Sequence, residues 1–220
     1  NGNLVAGNGL QNITPIDNPD DPGDPRGRFN TGVGVGVLNS VTIGYDNVGM
    51  GFNALKELTT GHANVGLGLY ALQFNTTGSR NIAIGGDALG TNIIGGSNIA
   101  VGGGAMNRAD DVYYNTAIGE NAGINLQGDY NVALGKDALN YIGSSTLNTA
   151  LGARADIGAA DITNATALGA DAIVTASNTI QLGSPTVQAV NTSGALTTGE
   201  VTYPNVDGSS GQILATDGGG

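Results

Sequence analysis

The sequence has no cysteine and no tryptophan, a single histidine and little charge. The missing cysteines remove disulfides, thiol nucleophiles and thiolate zinc sites together, and they fit an exported protein stabilised by repetition. Only seven Lys and Arg stand against eighteen Asp and Glu, a formal net charge of −11, so a nucleic-acid backbone would be repelled. There is no apolar run near the length of a membrane helix, so no membrane insertion is expected in this segment. The first residue is Asn rather than Met, and the 220 residues read as a section of something longer.

Glycine, by contrast, is abundant, at 39 residues, with only six prolines. No G-X-Y period is present, which excludes collagen, and 40% hydrophobic residues are too many for a disordered linker. What remains is ordered, thin and rich in β-structure. The phrase "NIAIGGDAL" at 81–89 shows how, because "NIAVGGGAM" follows it at 98–106.

Aligned on the first Asn, the phrase runs through most of the chain: Asn30, Asn47, Asn64, Asn81, Asn98, Asn115, Asn131 and Asn148, with Ala165 in the ninth copy. Every step is 17 residues except one of 16, the signature of a solenoid whose units stack and are not stable alone. "NTIQLG" at 178–183 is an altered copy that arrives early, and "NSVTIG" at 39–44 is a similar phrase lying inside one period.

Place three of the unit is always Gly or Ala, and place four always aliphatic: Val33, Met50, Leu67, Ile84, Val101, Ile118, Leu134, Leu151 and Leu168. Since neighbouring strand residues face opposite sides, the expectation is that places two and four fill the core and place three permits close approach from outside. Place five is Gly in all nine copies: Gly34, Gly51, Gly68, Gly85, Gly102, Gly119, Gly135, Gly152 and Gly169. That constancy predicts a corner where a Cβ would clash or φ is positive. Ala at place eight, often followed by Leu or Met, predicts a second inward segment. A helix over "GDALG" is disfavoured, because a 17-residue unit with four or five Gly and a β-branched run cannot hold useful helices.

The fold class read from these patterns is all-β, a parallel β-solenoid with one coil per period. Coils about 4.8 Å apart make nine of them a rod on the order of 45 Å long. Stacked Asn side chains would form an amide ladder that satisfies buried polar groups and fixes register. The chain divides into residues 1–29, a worn first coil ("NLVAGNGLQNIT") with a Pro/Asp-rich inserted loop; 30–183, the repeat domain; and 184–220, a turn-rich β connector or cap.

The phrases "NIAIGGDAL", "NTAIGENAG", "NVALGKDAL", "NTALGARA" and "NTIQLGS" resemble the head repeats of trimeric autotransporter adhesins and the related β-roll repeats of bacterial and phage tail fibres. "NTTGSRNIAIG" is similar to the fibre variant with the longer coil. The tail, with "YPNVDGSSGQ", is similar to the connector that precedes C-terminal chaperone domains of tail fibres. The resemblance implies a left-handed parallel β-roll, a homotrimer of chains intertwined or side by side, and display outside a cell or on a virion.

Candidate chemistry is sparse. Asp17, Asp20, Asp21 and Asp24 crowd the inserted loop and are a calcium candidate, but they lack EF-hand spacing and a solvated charged loop is the expected reading. "GVGVGV" at 32–37 and "GGSNIAVGGGA" at 95–105 lack the Gly-Lys-Ser/Thr of a phosphate loop and coincide with repeat corners. His62 is expected as a lone, solvent-exposed loop histidine. Thr59-Thr60 and Thr76-Thr77 start a threonine ladder that stops at the next copy, Ile93-Ile94.

The functional expectation is a non-enzymatic extracellular fibre or adhesin section, without catalytic residues or cofactor, binding a surface receptor or glycan. Binding is placed in the variable loops around Leu58 to His62, Phe74 to Arg80, Arg108 to Tyr114 and Asn140 to Thr146. The alternatives are a glycan-cleaving tailspike, which needs a cleft with two carboxylates about 5–10 Å apart, and a structural spacer.

Overall fold

A computed structural model of the chain describes residues 4–6, 29–140 and 143–187. Short strands recur at coil spacing: β1 (Leu4–Ala6), β2 (Thr31–Val33), β3 (Val48–Met50), β4 (Val65–Leu67), β5 (Ile82–Ile84), β6 (Ile99–Val101), β7 (Thr116–Ile118), β8 (Val132–Leu134), β9 (Thr149–Leu151), β10 (Asp156–Ile157), β11 (Thr166–Leu168), β12 (Ile173–Val174) and β13 (Ile180–Leu182). All but β10 and β12 lie in one 11-stranded sheet in chain order. The pairing is parallel and shifts by one coil: Ile82 of β5 pairs with Ile99 of β6, and Ala83 with Ala100. β10 and β12 form a second parallel pair, Asp156 with Ile173. The described part is an all-β parallel solenoid of about nine turns, with coils of about 17 residues and no helix.

Each coil splits its backbone hydrogen bonds between its two neighbours. Ile82 N–H donates to Asn98 O at 2.8 Å in the following coil, whereas Gly85 N–H donates to Leu67 O at 2.8 Å in the preceding one. Polar backbone is thereby satisfied although no strand exceeds three residues. Corners are made by residues in the left-handed region, in one coil Asp87 (φ 58°), Leu89 (φ 50°) and Ser97 (φ 61°). Side chains other than Gly disfavour this conformation. Here the stack holds them in it, with Asp87 N–H bonded to Leu69 O at 2.8 Å and Leu89 N–H to Ala105 O at 3.0 Å.

The strand faces are the reverse of the sequence expectation. Place three points inward: Ala83, Ala100, Ala117, Ala150 and Ala167 are fully buried. Places two and four point out of the chain, and Met50, Ile84, Ile118, Leu151 and Leu168 are 38–51% exposed. The cause is the narrowness of the coil. Residues of the second inward segment, such as Ala88 and Leu89, fill the interior. A Cβ added at Gly49 would already lie 2.6 Å from Val37 Cγ1. Only a methyl group or hydrogen fits opposite that wall, so the branched side chains are turned outward.

Two register details also differ. Ile180 pairs with Thr166, which puts Thr179, not Asn178, in the first place and makes that coil 14 residues long. The "NSVTIG" phrase forms turns and bends rather than a strand of its own. At the other end, Leu4 pairs with Thr31, so the worn copy joins the same sheet. Residues 7–28 and 188–220, which include the Pro/Asp-rich loop, the calcium candidates Asp17, Asp20, Asp21 and Asp24, and the connector, lie outside the described residues.

Candidate functional site

The repeated asparagines form a continuous buried column. Asn47 N–H and Nδ2 both donate to Asn30 Oδ1, at 3.0 and 2.9 Å, and Nδ2 also donates to Gly61 O at 3.0 Å. The pattern repeats at Asn64, Asn81, Asn98, Asn115 and Asn131, where each Oδ1 accepts from the next coil. Asn148 continues it at 3.0 Å, and Ala165 N–H ends it at Asn148 Oδ1. One carboxamide thus satisfies its own coil and two neighbours, a role no apolar residue can fill at 0–1% exposure. The place-five glycines have φ between +115° and +141°. At Gly85, moreover, a Cβ would lie 2.5 Å from Gly102 O. These residues carry architecture rather than chemistry.

A second wall of the coil carries places eleven to thirteen. Place twelve points inward: a Cβ on Gly123 would sit 3.5 Å from Ala117 Cβ on the strand wall and 3.8 Å from Leu126 Cβ on this one. Places eleven and thirteen therefore face solvent on a wall distinct from the strands. The four coils that begin at Asn47, Asn64, Asn81 and Asn98 build a groove there of about 410 Å³, lined by Glu57, Phe74, Thr76, Thr91, Ile93 and Asp110. Phe74 and Ile93 form its apolar floor, 48% and 45% exposed.

Threonine hydroxyls on this wall are spent on the stack. Thr42 Oγ1 donates to Thr59 O at 3.1 Å, Thr59 to Thr76 O at 3.0 Å and Thr76 to Ile93 O at 3.3 Å. The threonine column thus begins one coil before Thr59, and its hydroxyl protons serve the backbone rather than the surface. Asp111 acts similarly, its Oδ1 accepting from Ile94 N–H at 2.8 Å. Arg108 and Asp110, both exposed, make no side-chain hydrogen bond or ion pair with another described residue.

Beneath the groove lies an irregularity. Place twelve is apolar at Leu58, Ala109 and Leu126, but it is Asn75 and Asn92 in the two coils that supply the floor. Both are fully buried; neither polar atom of Asn75 and not Oδ1 of Asn92 has a partner. Asn92 Nδ2 donates to Gly95 O at 3.0 Å.

His62 is half-buried rather than solvent-exposed. It stacks on Tyr45 (centroids 4.9 Å, planes 9° apart), and its Nδ1 lies 3.0 Å from Ser79 Oγ. The same hydroxyl accepts from His62 N–H at 3.1 Å. With Ser79 Oγ already committed to the neighbouring backbone, this Ser–His contact works as a lateral tie between coils. Tyr114 and Tyr130, each 54% exposed, stack in the same way at 4.9 Å.

Two exposed ion pairs also bridge successive coils. Arg154 Nε and Nη2 grip Asp171 at 2.6 and 2.9 Å, and the hydrogen bond from the guanidinium lowers the Asp171 pKa and raises that of Arg154. The hydrogen bond to Glu120 at 2.9 Å raises the Lys136 pKa. Among the described residues no group of three or more His, Asp or Glu stands where it could hold a metal ion.

Of the expected binding loops, Phe74 to Arg80 and Arg108 to Tyr114 contribute to the groove through Phe74, Thr76 and Asp110. Tyr141 and Ile142 of the fourth loop lie outside the described residues. Glu57, Thr91 and Ile93 are not candidate site residues in the sequence, because they come from different coils and meet only in the stack. Reading place eleven as one column, Glu57, Phe74, Thr91, Arg108, and place thirteen as another, Thr59, Thr76, Ile93, Asp110, is the signal that finds them. No protein-family model and no curated protein matches this chain.

Proposed function

We propose that this chain is a section of an extracellular fibre or adhesin, a left-handed β-roll that associates as a parallel homotrimer and binds a surface receptor or glycan without catalysing a reaction. The observation that carries the reading is the outward strand face. Val48, Met50, Val65, Leu67, Ile82, Ile84, Ile99 and Val101 make a two-residue-wide apolar stripe that continues through Leu134, Leu168 and Leu182. Contiguous apolar surface of this length marks an interaction face. The interior of a single coil holds little beyond Ala and Leu, so a chain this thin gains most of its missing apolar burial by covering that stripe. Identical coils offer an identical partner, in register, along the whole rod. The repeat resemblance supports three copies and display outside the cell.

Binding is favoured over cleavage by the placing of the acids. In the groove, Glu57 and Asp110 stand on coils three steps apart, about 14 Å of backbone rise. Glycoside hydrolysis needs carboxyl groups at about 5–9.5 Å.

Light scattering tests the assembly. The expected mass is three times 21.8 kDa. Replacing Ile84 and Ile118 by Glu should reduce it to one chain while preserving the β-rich circular dichroism spectrum. A monomeric unmodified chain overturns the proposal.

A further inference from the structure

We propose that the lateral groove over Phe74 and Ile93 is a binding site for an uncharged oligosaccharide, lying along the rod across four coils. The inference rests on the adhesin reading and names the ligand class and its place.

The floor supplies the first argument. Phe74 is about half exposed on a wall where neighbouring coils carry Glu57, Thr91 and Arg108, and Ile93 stands beside it in the next column. An exposed ring flanked by a branched aliphatic matches the C–H face of a pyranose, which is apolar while its rim is hydroxylated. Hydroxyls need acceptors and donors together. The groove has Glu57 at one end and Asp110 at the other, and Arg108 stands beside Asp110 on the same outward side of the chain. Arg108 and Asp110 carry opposite charge, yet neither is paired with a described residue. One supplies donors and the other acceptors without breaking any contact of the fold. The threonine hydroxyls, already donated to backbone carbonyls, hold the floor rigid rather than compete.

Size and charge narrow the ligand. A volume of about 410 Å³ is within the range of ligand pockets. Its extent of about 14 Å along the stack suits a short oligosaccharide better than one ring. A chain of net charge −11 repels sialylated, sulfated or uronate-bearing glycans, and at the groove Lys56 pairs with Glu57 at 2.9 Å while Arg108 stands beside Asp110, which leaves the lining close to neutral. The wall also differs from the apolar strand face, so covering that face leaves the groove open.

The test is an array of neutral and anionic oligosaccharides probed with the intact chain, followed by titration of the best neutral ligand into the unmodified chain, Phe74→Ala, Phe74→Tyr and Asp110→Asn. Neutral ligands should bind; Phe74→Ala should weaken them about tenfold or more and Asp110→Asn by a smaller factor. Phe74→Tyr should keep the affinity and confirm that a ring is what matters. Unfolding midpoint and solution mass should be unchanged in all variants. The inference is overturned if anionic glycans bind in preference, if no glycan binds, or if Phe74→Ala binds as the unmodified chain does. Failure of sugar binding with the trimer mass intact sinks the groove alone, whereas a monomeric mass sinks the fibre reading.

Discussion

Asn81 sits on Asn64 so that its N–H and its Nδ2 share one acceptor, Asn64 Oδ1, at 3.0 and 3.2 Å. Asn81 Nδ2 also donates to Gly95 O, and its own Oδ1 serves Asn98. Asn81→Leu keeps the backbone N–H bond to Asn64 Oδ1 but should remove both Nδ2 bonds and the Oδ1 acceptor, stranding buried donors on Asn98. Each buried group left unpaired costs about 1–3 kcal/mol, so a total loss of about 3–5 kcal/mol is expected from denaturant unfolding.

The same substitution at Asn75 should have the opposite sign. Asn75 is as buried as Asn81, but both its side-chain polar atoms lack partners, and the coil below carries Leu58 at this place. Asn75→Leu removes an unpaired amide and adds apolar burial, for an expected gain of about 1–2 kcal/mol. A drop in the unfolding midpoint would show that Asn75 is satisfied in solution.

Glycine substitutions should divide by corner. Gly85→Ala forces a Cβ to 2.5 Å from Gly102 O at a φ of 132°, and a loss of about 3 kcal/mol or more is expected. Gly103, two residues past the matching strand of the next coil, has nothing within 4 Å of a Cβ. Gly103→Ala should be neutral or stabilise by up to about 1 kcal/mol through the unfolded chain.

Strand substitutions report which side is interior. Ala83→Leu should overpack the narrow coil and cost about 1–3 kcal/mol. Ile84→Thr, one residue on, should leave the coil folded and, under the proposed homotrimer, weaken association, which unfolding and light scattering together distinguish.

The Arg154–Asp171 pair gives a pH signature. The folded carboxylate titrates below its unfolded value, so the contribution is present above the unfolded pKa and is lost as pH falls through the folded one. The expected effect is confined to strongly acidic pH and is modest and salt-sensitive, because both groups are exposed. Titration of Asp171 followed by NMR should move towards the ordinary carboxylate range in Arg154→Ala.

The period, the strands and the buried Asn column follow from the sequence because each depends on one residue type recurring at one place. Which strand face is interior does not follow. Alternation separates Ala83 from Ile84, but only the width of the coil, fixed by Leu89 and its neighbours, decides which of them points inward. The left-handed corners at Leu55, Leu72, Leu89 and Leu139 were likewise hidden, since nothing in a leucine announces positive φ. The groove was half legible: Phe74 and Asp110 fall in variable loops, while Glu57 and Ile93 join them only through stacking.

The single 16-residue step between Asn115 and Asn131 leaves the pairing of β7 with β8 unaltered. A lost loop residue is absorbed at the periphery, while the donors and acceptors presented upward and downward stay the same. Whole turns are then interchangeable modules. Deleting or duplicating one changes the reach of the molecule in increments of about 4.8 Å, so such a protein can evolve like a ruler, by counting.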